Sequence, residues 1–110
     1  MTLLSRTAEN LFWMSRYMER ADSLARILDA AYRLSSLPTA YGGRTTEWES
    51  AVKTAGCEES FAAHHKEVTP GAVINFLAFS NDNPSSIRRC IEMARSNARA
   101  ERTALTSEMW

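Results

Sequence analysis

Residues 83–110 hold the pattern that most narrows the fold. Asn83-Pro84-Ser85-Ser86-Ile87 opens a helical repeat that runs without a break to Trp110. Asn83 offers an oxygen to first-turn amides, and Pro84 suits the first helical position, where no amide donor is needed. At about 100° per residue, Ile87, Ile91, Ala94, Ala98, Leu105 and Met109 fall in one narrow arc. Arg88, Arg95, Arg99 and Arg102 line one shoulder of that arc; Cys90, Asn97, Glu101 and Glu108 line the other. No Gly, Pro or Asn follows to end the helix, so the pattern is expected to stop in mid-element.

A second long helix is expected from roughly Ser5 to Leu34. Leu11, Met14, Met18, Ala21, Ala25, Leu28 and Tyr32 alternate steps of three and four, a seam of period about 3.5. Tyr17, Leu24 and Ala31 widen one side of it. Asp22 with Arg26 and Asp29 with Arg33 are spaced for ion pairs in the favourable order and mark the solvated face. That mixed polar face is unlike a membrane-surface helix, and no apolar run approaches the length of a membrane span.

The middle of the chain reads as short helices. Leu37-Pro38 ends the first helix, and Tyr41-Gly42-Gly43 makes a connection. Thr46 is placed to cap a segment with Trp48, Ala51 and Val52 inside, ended by Gly56. Glu58 to about His65 turns Phe61 and Ala62 inward. Thr69-Pro70 is a start signal for a buried helix containing Val73, Ile74, Phe76, Leu77 and Phe79, since that run lacks strand alternation. The expected architecture is one all-α domain over residues 1–110. Its two long helices run antiparallel in a bundle-like arrangement, with the short middle helices covering one side.

Charge limits the functional classes. The 13 basic and 13 acidic residues cancel overall. Residues 1–34 sum to +1, 35–85 to −3 and 86–110 to +2. Nucleic-acid binding needs a clustered positive footprint, so no nucleic-acid partner is expected. Eleven of the 13 bases are arginine, whose forked donors suit carboxylate or phosphate. Cys57 and Cys90 lack a partner pattern and suit a reducing cytoplasm better than a disulfide framework. No secretory leader is visible, because Leu3-Leu4 meets Ser5-Arg6 at once.

Candidate chemistry sits on the long helices. Glu9, Trp13, Arg16 and Arg20 share one face of the first, beside Glu19; Arg88, Arg95, Arg99 and Arg102 form the row on the last. Such rows serve as solvated charge, as an ion-paired helix interface, or as a polar pocket for an acidic ligand. His64 and His65 are adjacent, so they point about 100° apart and cannot share a ligand; they read as surface histidines at a helix end. Ser85 and Ser86 have no positioned base and read as capping residues rather than nucleophiles. Gly42-Gly43 lacks the spacing of a phosphate loop. No metal and no cofactor is expected.

Several stretches resemble the alpha-E domain family, bacterial all-helical proteins with a Glu-Arg motif. They are Leu4-Ser-Arg-Thr-Ala-Glu-Asn-Leu-Phe-Trp13, Arg16-Tyr-Met-Glu-Arg-Ala21, Asn83-Pro-Ser-Ser-Ile-Arg88, Ala94-Arg-Ser-Asn-Ala-Arg99 and Glu108-Met-Trp110. The resemblance implies that Glu9, Glu19, Arg20, Asn83, Arg95, Asn97, Arg99 and Glu108 belong to the family signature. It also implies that the chain is the N-terminal portion of a longer alpha-E domain. Family members tend to be encoded beside ATP-grasp-like and transglutaminase-like proteins, which implies a part in making or modifying a peptide.

Two functional expectations follow. The first is a non-catalytic helical interaction or accessory module, in which Arg20→Ala and Arg99→Ala weaken complex formation. Its partner is an ATP-grasp-like or transglutaminase-like protein, and a homo-oligomer is a further expectation because wet apolar seams favour association. The second is an enzyme or ligand-binding subunit. Arg95, Arg99 and Arg102, with Arg16, Arg20 and Asn97 as further contacts, would hold a carboxylate or phosphate, and Glu9, Glu19 or Glu108 would supply the carboxylates.

Overall fold

The computed structural model describes residues 3–37 and 46–109, and the side chains of 4–37 and 47–102. The connection at Tyr41-Gly42-Gly43, the Thr46 hydroxyl, the side chains of Leu105, Glu108 and Met109, and Trp110 lie outside the described residues. Helix α1 spans Leu3–Ser35, α2 Thr46–Thr54, α3 Glu58–His64, α4 Pro70–Ile74 and α5 Ile87–Met109. A π-helical turn, Asn75–Phe79, continues α4. The expected all-α arrangement is present, with α1 packed along α5 and the short helices against the C-terminal half of α1.

Ile87 packs at the core cluster that contains Leu24, and Arg20 is the cation felt by the Cys90 thiol. From there α5 runs back toward the N-terminus of α1, where Thr7, Asn10, Met14 and Tyr17 are half-buried. The two long helices are therefore antiparallel.

Their contact seam is rotated from the expected one. On α1 the covered positions are Thr7, Asn10, Met14, Tyr17, Ala21, Leu24, Leu28 and Ala31, again in steps of three and four. Leu11, Met18 and Tyr32 are about half exposed, at 45%, 52% and 63%. On α5 the covered positions are Ile87, Cys90, Ala94, Asn97 and Glu101, whereas Ile91 and Ala98 face outward. The residues expected to widen the first seam are its centre, and the Cys90–Glu101 shoulder of α5 is its inner face. Small residues explain the choice. Ala21, Ala31, Cys90 and Ala94 let the helix backbones approach closely, and the larger apolar side chains on the next row would hold them apart.

The core lies where the short helices meet α1. Trp48, Ala51 and Val52 of α2, Phe61 of α3, Val73 of α4, and Phe76 and Leu77 of the π turn close over Leu24 and Ala31. Phe61 meets Phe76 edge to face at 5.5 Å. Three corrections concern this region. Ala62 and Phe79 are exposed rather than inward. The histidines are more than surface groups: His65 stacks on Phe61 at 4.9 Å, and both His64 and His65 lie against the Phe76 ring.

Local signals were read well at most helix ends. Gly56 adopts φ +72° just beyond α2, the left-handed conformation that stops a helix. Its amide donates to the Lys53 carbonyl and that of Cys57 to Val52, satisfying two end carbonyls. Thr69 caps α4 by accepting from the Ala72 amide at 3.2 Å, with Pro70 in the first turn. The cap of α5 differs from expectation. Asn83-Pro84 forms a turn closed by the Ser86 amide on the Asn83 carbonyl, and Ser86 caps α5 by accepting from the Arg89 amide at 3.2 Å. Asn83 is buried and joins two elements: its Oδ1 accepts from the Ser85 amide, and its Nδ2 donates to the Phe76 carbonyl, each at 3.0 Å.

Candidate functional site

An open groove of about 350 Å³ lies between the middle of α1 and the C-terminal end of α2. Trp13, Arg16, Glu19 and Arg20 line it on α1, above an apolar floor of Leu24 and Ile27, with Thr54 opposite. The helical repeat dictates this grouping: Trp13, Arg16, Arg20 and Ile27 recur at steps of three, four and seven and so share one flank of α1. The C-terminal end of α2 approaches the same flank because Ile27, Ala31 and Leu34 meet Ala51 there.

Arg20 is anchored. Its guanidinium donates to the Ala55 carbonyl at 3.5 Å, at the negative end of the α2 dipole. Its charge also reaches both thiols. Burial pushes the Cys57 and Cys90 thiols above their ordinary pKa, and the Arg20 charge opposes that rise without cancelling it. The two cysteines are free thiols. Trp13 and Tyr17 form a tilted aromatic pair at 6.1 Å beside the arginines.

Arg16 and Arg20 differ from the arginines further along α1. Arg26 and Arg33 each hold an aspartate one turn earlier, Asp22 at 3.0 Å and Asp29 at 3.1 Å. One turn before Arg16 stands Phe12, and one turn before Arg20 stands Arg16 itself. Two like charges are thus stacked one turn apart, an arrangement that costs a helix a few tenths of a kcal/mol.

The fold brings Arg16, Glu19 and Arg20 together at this groove and leaves the other candidate residues elsewhere. Glu9 lies on the same flank one turn before Trp13, exposed and outside the lining. Arg95, Arg99 and Arg102 are exposed on α5, and Asn97 is half-buried in the α1–α5 seam. Glu108 belongs to α5, with its side chain outside the described set. The arginines of α5 do not line the groove, so a single pocket shared by both rows is not formed there. Among the described residues no group of His, Cys, Asp and Glu is placed to hold a metal ion. None of the described helices is long and apolar enough to cross a membrane.

Glu101 was not singled out as a site by sequence, yet it is only 6% exposed. Neither of its carboxylate oxygens has a hydrogen-bond partner among the described residues. Continuing the antiparallel register places it at the level of Asn10. The spacing Ile87, Cys90, Ala94, Asn97, Glu101 was the available signal, and its polar members disguised it.

The sequence contains two Glu-Arg steps, and the fold turns them opposite ways. At Glu19-Arg20 the arginine reaches into the structure; at Glu101-Arg102 the glutamate does. A family model described as a predicted alpha-helical domain with a conserved ER motif, Alpha-E, matches residues 3–110. The chain belongs to the Alpha-E family. No curated protein and no solved structure matches it.

Proposed function

We propose that this Alpha-E chain is a non-catalytic helical docking module of a cytoplasmic peptide-synthesis or peptide-modification system. The observation that carries the reading is an uncovered apolar face. Leu4, Leu11, Met18, Ala25 and Tyr32 recur every seven residues along α1 and are all exposed; Ile91 and Ala98 do the same on α5. Leu11, Met18, Ala25 and Tyr32 each follow a seam residue, as do Ile91 and Ala98. In an antiparallel pair such equivalent rows emerge on the same side. That side is opposite the flank of α1 that receives α2.

The two rows form a shallow trough between parallel helix axes, the shape that accepts a further amphipathic helix. Arg88, Arg95 and Arg102 edge it on α5, and Asp22 and Asp29 on α1. The partner is an ATP-grasp-like or transglutaminase-like protein that offers an apolar helix with charges of matching sign. Capture of each purified partner by the chain tests this, with Met18→Glu and Ile91→Glu as variants on the two walls. Both positions are already wet, so both variants keep the melting transition to within about 0.5 kcal/mol and lose the complex. Undiminished capture by both would overturn the reading. Light scattering on the same variants separates self-association: a wild-type dimer that becomes a monomer on Met18→Glu would assign the trough to a second copy instead.

A further inference from the structure

We infer that the groove between α1 and α2 is a binding site for an oxyanion carried on a flat apolar group. The docking face lies on the opposite flank of α1, so the two readings stand or fall separately.

Arg16 and Arg20 set the polar half of the site. They sit one turn apart on the groove wall, and neither makes an ion pair among the described residues. Only one of their guanidinium donors has a described acceptor, the Arg20 contact with Ala55. The remaining donors form two adjacent forks, the arrangement that recognises carboxylate or phosphate in the plane of the group. An anion between them would relieve the like-charge stacking that the free helix carries. The anchoring of Arg20 at Ala55 also fixes one fork in advance, which lowers the ordering cost of binding.

The apolar half comes from the same helix face. Trp13 is 45% exposed despite its size, and with Tyr17, Leu24 and Ile27 it supplies a flat wall and floor beside the guanidiniums. Ser23 and Thr54 offer hydroxyls at the rim. A ring or other planar body stacked on Trp13 would place an attached oxyanion at Arg16 and Arg20. Glu19 on the edge of the groove disfavours a second negative charge, so the site selects a ligand with its anion at one end.

A terminal carboxylate of a peptide and a phosphate monoester share this chemistry, and two probes distinguish them: N-acetylphenylalanine and phenyl phosphate. Calorimetric titration of the intact chain is expected to show saturable binding of at least one. Which of the two binds more tightly identifies the source. N-acetylphenylalanine amide and benzyl alcohol, which lack the anion, should bind at least about tenfold more weakly, as should either probe with Arg16→Gln. Arg16 makes no described contact with another element, so that variant keeps the fold; Trp13→Ala tests the apolar wall in the same way. Absence of saturable binding for both anions up to about 10 mM, a level corresponding to only a few kcal/mol, would overturn the inference. So would equal affinity in wild type and Arg16→Gln.

Discussion

Asn83 is the residue whose replacement tests the physics of this fold most sharply. It is 4% exposed and makes two hydrogen bonds of 3.0 Å, accepting from the Ser85 amide and donating to the Phe76 carbonyl. Asn83→Ala removes both. Loss of the turn-stabilising acceptor costs about 1 kcal/mol, as for other side-chain caps. Loss of the donor strands a buried carbonyl, at about 1–3 kcal/mol. The expected destabilisation is therefore about 2–4 kcal/mol, a fall in Tm of roughly 10–25 °C for a domain of this size. Asn83→Asp separates the two bonds, because it keeps the acceptor and loses the donor while burying a charge. At neutral pH it should be at least as damaging as Asn83→Ala. The introduced carboxyl would have its folded pKa raised by burial. Its neutral form can donate to the Phe76 carbonyl, so stability is present below the unfolded carboxyl value of about 4 and lost as pH rises through the folded one. Urea unfolding followed by circular dichroism, at pH 7 and pH 4, reads both effects. Asn83→Asp matching wild type at pH 7, or failing to recover relative to Asn83→Ala at pH 4, would refute the assignment of the donor.

Two other predictions rest on backbone and on burial. Gly56→Ala should cost about 1–2 kcal/mol, because φ is +72° although a methyl group would meet nothing within 4 Å. Gly71→Ala, in open space without a positive φ, should stabilise by about 0.4–1 kcal/mol; equal urea midpoints for the pair would contradict this. The raised thiol pKa values predict an alkaline loss of stability. The folded thiols bind protons more tightly than the unfolded ones, so their contribution is complete below the unfolded thiol pKa, about 8.5, and is lost as pH rises through the folded values. A Cys57→Ala, Cys90→Ala double variant should flatten that limb of the stability profile, and an unchanged limb would assign it to other groups.

Sequence made the helices legible because their end signals are local. Gly56, Thr69-Pro70 and the arginine-aspartate spacings on α1 each act within a turn or two. The contact seam was harder to read because it depends on what approaches, and hydrophobicity weights the wrong row. Leu11, Met18 and Ile91 outweigh Asn10, Ala94 and Asn97 on any transfer scale, yet close helix approach selects the small and polar set. Asn83 and Ser86 show the same division. A cap before Ile87 was evident, but Asn83 was drawn away by the Phe76 carbonyl, and Ser86 took the role. For the candidate site, Trp13, Arg16, Glu19 and Arg20 were grouped by periodicity alone. Their meeting with Thr54 and Ala55 required the tertiary fold.

The wide turn at Asn75–Phe79 makes chain length part of what this sequence specifies. Its closing bond, from the Ser80 amide to the Asn75 carbonyl at 2.8 Å, spans one residue more than an ordinary helical bond. Deleting a single residue from this turn would restore the tighter winding and rotate all that follows by about 100°. Asn83 would swing off the Phe76 carbonyl, and α5 would begin facing α1 with the wrong stripe. A one-residue deletion here is therefore a change of register for the whole second half of the helix pair, whereas a substitution at the exposed Phe79 disturbs only its own surroundings.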